Sequence, residues 1–548
     1  MNQAKWVLYA IVSCATSVGV ADGRPPKIIF VDASAYGAND GTTWADAYPY
    51  LQDALADADA SEKPVEIRVA QGIYRPDQGM RQTPGDRSAT FQLPNGTTVN
   101  GGYAGIAGPE PDARDINVYR SILSGDLKGD DTSPNTALES YLWYWCLWAS
   151  ASGRMENSCH VVTAGGVDTS VVIDGFAVSA GNDNTSEPGV REAIPVGCGG
   201  GMLSVGGRLI VANCTFSSNS AGKGAAIYSD QADLTLTNCT FSGNHGYKGG
   251  GLYNANGRGT LVRCTFIDNS AHTGGGGVSS DRSVVAISHS TFNRNDSLTG
   301  WGGGISNLNQ STSAISNCLL VANRANFGGG VCNRDSRLTL RNCTFNGNSG
   351  SGVACVSEDN PGVVDATNCI FWDGGQRSNI SASGFGATVR MSFCDIKEGV
   401  PEPHDEHEGI IQDAGNIIDV DPCFVSLGFW VDRRSARDNS RDDGWVDGDY
   451  HLKSQSGRWD PKSESWVKDD VTSPCIDAGD PNSPVGEEPF PNGGRINMGA
   501  YGGTVEASKS FFGEPVCQTI IAGDINGDCH VDLKDLALLT QHWLAGSD

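Results

Sequence analysis

Apolar and polar residues alternate at period two in short runs along much of this chain, as in LTLTNCTF (234–241) and LTLRNCTF (338–345). Such alternation sends successive side chains to opposite faces of a strand, so each run predicts a half-buried β-strand. Gly and Asn interrupt the runs every eight or so residues, and no helix-length amphipathic run falls between about 160 and 400. Ahead of that stretch, residues 29–60 predict a strand, a Gly-rich turn and a short amphipathic helix from about Tyr48 to Ala60, with further strands in 66–74 and 91–105.

The runs repeat. NCTFSSN (213–219), NCTFSGN (238–244), RCTFIDN (263–269), HSTFNRN (289–295), NCLLVAN (317–323), NCTFNGN (342–348) and NCIFWDG (368–374) are one motif, with steps of 25 to 28 residues, Ser290 once in place of Cys, and Cys394 following. A glycine motif interleaves at the same period: GGGM at 199, GAAI at 224, GGGL at 249, GGGV at 275, GGGI at 302, GGGV at 328 and GSGV at 350. Two motifs locked to one period mean one unit copied many times. Short strands at this period predict an all-β fold, a right-handed parallel β-helix with three strands per turn and ~4.8 Å between equivalent residues of neighbouring turns. Cys239, Phe241 and Leu252 then each join a column of like side chains in a narrow interior. The Asn at the motif start (Asn213, Asn238, Asn317, Asn342, Asn368) and end (Asn219, Asn244, Asn269, Asn295, Asn323, Asn348) belong at bends. There Asn tolerates left-handed backbone and can bond to its counterpart in the next turn. The Cys column reads as small buried hydrophobes. Its parallel Cβ vectors disfavour bridges, and it lacks the paired spacing of a zinc site.

The GGG(A/L/V/I) and FxxN motifs, as in Gly249 to Leu252 and Phe241 to Asn244, resemble the repeats of chlamydial polymorphic outer membrane proteins and of bacterial right-handed β-helix proteins generally. The resemblance covers about 240 residues and implies a fold rather than a function. Further on, SPCIDAGDPNS (473–483) and GRINMGAYGG (494–503) resemble the choice-of-anchor Q segment of exported bacterial β-helix proteins, which implies a surface-directed region finishing the coil. The chain therefore divides into a signal peptide (1–21), an N-terminal cap with the first turns (22–158), the repeats (159–400), a C-terminal region (401–512) and a last segment (513–548).

The signal peptide rests on Lys5, the apolar stretch Trp6 to Val20, and Gly19 and Ala21 at the -3 and -1 positions of a cleavage site. Lipidation at Cys14 is the alternative, and the stretch is too short for a confident membrane span. No later segment is apolar enough for a transmembrane helix. Composition agrees with an exported β-rich chain: 72 of 548 residues are Gly, and 64 acidic residues face 38 basic ones. A net charge of -26 argues against nucleic acid, which needs clustered Lys and Arg, and suits contact with Ca2+ or glycans. Disulfides are permitted in that compartment, and Cys146 with Cys159, or Cys517 with Cys529, are possible pairs.

Candidate chemistry lies in three places. In the last segment Asp524, Asn526, Asp528, His530, Asp532 and Asp535 occupy positions 1, 3, 5, 7, 9 and 12 of a loop. Oxygen ligands at those offsets wrap one Ca2+, with the carbonyl serving at position 7. The loop and the helix after it resemble half of a type I dockerin, which implies a cohesin-like partner. Cys529 stands where Gly is usual, and the second loop of a dockerin does not follow. Second, Asp230, Asp281, Arg334, Asp335 and Asp359 recur just after the glycine-triplet strand. On one face they could chelate Ca2+ against an acidic sugar with Arg334 as base, or supply an acid and a base, or be hydrated turn residues. Third, the aromatic run from Tyr141 to Trp148 is either a sugar-stacking patch or a packed loop. His404, Asp405, His407 and Glu408 lack the helical spacing of a zincin and read as a solvated acidic turn. The expectation is an exported, non-enzymatic β-helix contacting a polysaccharide or cell-surface component. The alternative is a polysaccharide lyase or glycoside hydrolase on the same fold, which fold alone cannot decide.

Overall fold

The computed structural model describes residues 25–131, 154–166, 170–183, 197–373, 379–399, 410–431, 444–513, 523, 525 and 530–543. Each alternating run pairs in parallel with the run one repeat later: Leu209 lies beside Leu234, Phe216 beside Phe241 and Met202 beside Ile227. Among the described residues these strands build parallel sheets of thirteen, twelve and ten strands, with five short strands forming a further sheet. Successive strands of one repeat fall in different sheets, so the chain winds as a single coil. The inward residues form one continuous apolar core from Ile29 to Ile396. Along it Phe216, Phe241, Phe266 and Phe292 stack with ring centroids 5.2, 4.5 and 4.8 Å apart.

Two corners of each turn are built by the motif's polar ends. Asn213, Asn238, Asn317, Asn342 and Asn368 all have φ between +48° and +57°, a conformation Asn adopts more readily than most L residues. The Cys that follows turns its thiol back onto the carbonyl two residues upstream, Cys214 onto Ala212 and Cys318 onto Ser316, each at 3.1 Å. Ser290 donates to Ser288 in the same way at 2.9 Å, so the column is small, buried and hydrogen-bonded as well as apolar. The cysteines among the described residues are free thiols, Cys159 included; Cys146, Cys517 and Cys529 lie outside them.

The second corner carries an asparagine ladder. Asn219, Asn244, Asn269, Asn295, Asn323 and Asn348 are buried, and each donates Nδ2 to the Oδ1 of the next at 2.8 to 3.0 Å. Asn348 donates to Asp373, which ends the ladder. The glycine triplet makes the third corner, where backbones of neighbouring turns nearly touch. A Cβ on Gly250 would stand 2.5 Å from the Ser270 carbonyl and 2.6 Å from that of Gly276.

A helix covers the first turns of the coil, and a later segment packs against its side. Helix α1 (Leu51–Ala60) buries Leu51, Ala54, Leu55 and Ala58 against the first turns, three residues inside the predicted start near Tyr48. Residues 410–418 add a final rung. Residues 424–431 and 444–513 then lie along the outside of the twelve-stranded sheet, where Phe424, Tyr450, Leu452, Ile476 and Met498 pack on Val321, Ile370 and Trp372. Tyr450 donates to Asn346 Oδ1 at 3.0 Å, and Asn293 donates to Asp447 at 2.8 Å. Helix α2 (Leu533–Trp543) follows, with Leu533, Leu536 and Leu539 exposed. No helix among the described residues is long and apolar enough to cross a membrane.

Candidate functional site

The ten-stranded sheet places Asp230, Asp281 and Arg334 in one outward row. Its register runs Val205, Asp230, Ala255, Asp281, Leu308, Arg334 and Val356, one residue per turn. The charged residues therefore stand two rungs apart, about 10 Å between Cα atoms. None of them is simply hydrated. Asn256 donates to Asp230 at 2.8 Å. Asp281, nearly buried, accepts from the Tyr253 hydroxyl at 2.8 Å and from Asn309 at 2.9 Å. Arg334 pairs with Glu358 at 3.5 Å and lies 5.4 Å over the Trp301 ring, and its buried Nε has no partner.

Asp335 and Asp359 do not join this row. Asp335 has φ +53° and turns inward, its Oδ1 accepting the backbone N–H of Glu358, Asp359 and Asn360 at 2.8, 3.1 and 3.1 Å. It caps that turn, and Asp359 is exposed upon it.

Around the row are residues that sequence reasoning did not single out. Tyr228 and Tyr253, one position nearer the glycine triplet than the row's neighbours in sequence, stack at 5.8 Å. Lys223, Lys248, Gly274, Trp301 and Phe327 each immediately precede a glycine motif and so recur at one place in the turn. Trp301 stacks on Phe327 at 4.8 Å, and Lys223 lies 5.9 Å from the Tyr253 ring. Burial lowers the Lys248 ammonium below its ordinary range, with Lys223 and Arg334 adding to the effect and Asp281 opposing it. Sequence did carry a signal here, since four of the seven glycine motifs follow an aromatic or cationic residue, and Cys198, Gly274 and Ser349 precede the others. A separate cavity of about 310 Å3, lined by Ile116, Arg120, Phe176, Asn213 and Thr215, opens near the twelve-stranded sheet and contains no carboxylate.

Of the predicted Ca2+ loop, Asp524, Asn526 and Asp528 lie outside the described residues, as do the 141–148 aromatic run and 404–408. His530 and Asp532 are exposed. Asp535 is buried, its two carboxylate oxygens accepting the N–H of Ile525 at 2.6 Å and of Asp532 at 2.7 Å. Position 12 is thus bonded to the backbone of loop positions 2 and 9.

Comparison with known proteins agrees with the coil. The family model described as "Right handed beta helix region" matches residues 196–360. The chain is a right-handed parallel β-helix. A second family model, "Disaggregatase related", matches residues 428–479, within the region packed outside the β-helix. No curated protein matches. Among solved structures, pectate lyase Pel9A is 14% identical with a TM-score of 0.44, covering 87% of this chain and 97% of its own. PfbA, a surface adhesin of Streptococcus pneumoniae, is 9% identical with a TM-score of 0.36, over 67% and 87%. XylC in complex with xylose is 9% identical with a TM-score of 0.34, over 74% and 88%. Likeness at this level concerns the β-helix fold alone.

Proposed function

We propose that this β-helix is an exported surface protein that contacts polysaccharide along the outer face of its ten-stranded sheet without cleaving it. One observation carries the reading: the carboxylates of that face are spaced two rungs apart and held by neighbouring side chains, while Lys223 with Lys248 and Trp301 with Phe327 form adjacent pairs beside them, separated by Gly274. Retaining and inverting glycosidases need two carboxyl groups about 5–5.5 or 6.5–9.5 Å apart around a free reacting centre. Aromatic faces and cations spaced along a rigid scaffold suit binding an extended glycan instead. In this reading the signal peptide exports the chain, and the 524–535 loop binds Ca2+ and presents α2 to a cohesin-like partner.

A second reading, polysaccharide lyase or glycoside hydrolase, is favoured by Lys248. A half-buried lysine whose ammonium is disfavoured, near Asp281 and Arg334, is a candidate proton acceptor. The two readings separate in one experiment. Purified protein, with and without Ca2+, is passed over a panel of immobilised acidic and neutral polysaccharides while unsaturated and reducing ends are followed. Retention that falls at least about tenfold in Trp301→Ala, with no new ends released, supports contact without cleavage. Release of ends that Lys248→Ala abolishes would replace it with the enzyme reading, and no retention at all would remove both.

A further inference from the structure

The strand Ser121–Ser124 runs into a tight acidic loop. Asp126 Oδ1 accepts the N–H of Gly129 at 2.7 Å and of Asp130 at 3.2 Å, and its Oδ2 accepts that of Asp131 at 3.3 Å. The 3-10 turn Arg154–Glu156 docks against this loop: Ser158 N donates to the Gly125 carbonyl at 2.8 Å, and Asn182 Nδ2 donates to that of Arg154 at 2.7 Å. As a result Asp126, Asp130, Asp131 and Glu156 bring one carboxylate oxygen each to within 4.8 Å of one another. Ca–O bonds of about 2.3–2.6 Å place oxygens on opposite sides of one ion up to about 5 Å apart, so four oxygens in this span fit one coordination shell.

A cluster of acids alone would be unremarkable surface. What distinguishes this one is Asn157, which is fully buried and bonded to the cluster through Asp131. Its Nδ2 donates to Asp131 Oδ2 at 3.0 Å and to the Ala180 carbonyl at 2.9 Å, while its Oδ1 has no partner. Asp131 Oδ1 and Glu156 Oε1 are also buried without a donor. Buried acceptors without a donor are uncommon in folded proteins, and several at one point ask for a positive group. Arg154 acts on Asp131 and Lys128 on Glu156, while Arg75 and Arg87 donate Nε to the backbone carbonyls of Asp126 and Asn157, each at 2.7 Å. Burial raises the Asp131 and Glu156 carboxyls above their ordinary range, and Asp130 beside Glu156 adds to it.

We propose that Asp126, Asp130, Asp131, Glu156 and the carboxamide oxygen of Asn157 hold one Ca2+ against the first turns of the coil. The donor set is all oxygen, as a hard cation requires, and four carboxylates with a carboxamide suit the roughly six to eight oxygens of a Ca2+ shell better than Mg2+, which keeps most of its water. The ion clasps residues 126–131 to 154–157, parts of the chain well separated in sequence, and so braces the N-terminal turns independently of the C-terminal loop.

The test silences the other Ca2+ candidate first. Full-length protein carrying Asp524→Asn and Asp528→Asn is freed of metal by chelation, titrated with Ca2+ by calorimetry, and melted with and without millimolar Ca2+. One Ca2+ bound per chain and a melting point raised by a few degrees are expected. Adding Asp131→Asn and Glu156→Gln is expected to weaken binding at least about tenfold, since affinity follows ligand charge. Those changes relieve like-charge crowding, so melting without Ca2+ should hold or rise. Asp130→Asn alone supplies a milder variant should the pair fail to fold. No Ca2+ bound by the loop-silenced chain, binding unaltered by the acidic substitutions, or equal stabilisation by Mg2+ would each overturn the assignment.

Discussion

Asn269 shows what one repeated residue contributes. It accepts from Asn244 N and Nδ2 at 3.2 and 2.8 Å, and it donates to the Phe241 carbonyl and Asn295 Oδ1 at 2.9 Å each, all fully buried. Asn269→Ala strands several of these groups at once and is expected to cost about 2–5 kcal/mol, read as a lower denaturant midpoint. Cys264→Ser, one corner away, is expected to stay within about 1 kcal/mol, because Ser290 already fills the same column position and makes the same bond. Titration is a second residue-scale property. Burial raises Asp373, Asp395 and Glu488 to about 7 and Asp477 to about 6. A raised carboxyl keeps its proton in the folded chain after the unfolded chain has lost it. The stability it contributes is therefore full below about pH 4 and lost as pH rises to about 7. Thermal melting across that window should fall toward neutrality. Asp373→Asn, which keeps the oxygen that accepts from Asn348, should flatten the fall and raise the melting point at pH 8.

At the scale of elements, the coil was legible because the same few residues recur at fixed offsets, and period-two alternation leaves little freedom about which face is buried. The period alone puts Phe241 and Leu252 in columns. The corner chemistry was half legible: Asn238 was expected at a left-handed bend, but the thiol-to-carbonyl bond of its neighbour was not, because Cys normally enters such reasoning as an apolar residue. The outward row was harder. Asp230, Asp281 and Arg334 stand out by charge and by recurrence after the glycine-triplet strand, whereas Lys248 and Trp301 share only the place ahead of a glycine motif and Tyr253 reaches the same face through its strand register. Asp335 misled for the opposite reason, since a carboxylate capping a turn and one facing solvent look alike in sequence. For the C-terminal loop, Ca2+ is expected to slow proteolysis across 523–543, followed by mass spectrometry. Asp535→Ala should abolish that protection while leaving the fragments from the repeats unchanged.

The whole molecule is a long coil with a strap. Each rung touches only its neighbours, so stability is local along the axis, and the strap of residues 424–431 and 444–513 binds the side of the later rungs. Tyr450→Ala removes the hydroxyl on Asn346 and the ring packed on Phe424, which should cost about 3–5 kcal/mol. Hydrogen exchange should accelerate across 424–513 and the rungs from Leu319 to Trp372, and stay unchanged in the rungs before Phe266. An outcome spread evenly along the coil would mean that it unfolds as one unit. The asparagine ladder gives this axis a direction. Every side-chain amide from Asn219 to Asn348 points its N–H the same way, toward Asp373. Aligned amides polarise one another, so the corner behaves as a small fixed electret inside the protein. Its positive pole rests on the one ladder member that can carry a negative charge, and protonating that member or replacing it with Asn removes the charge the array terminates on.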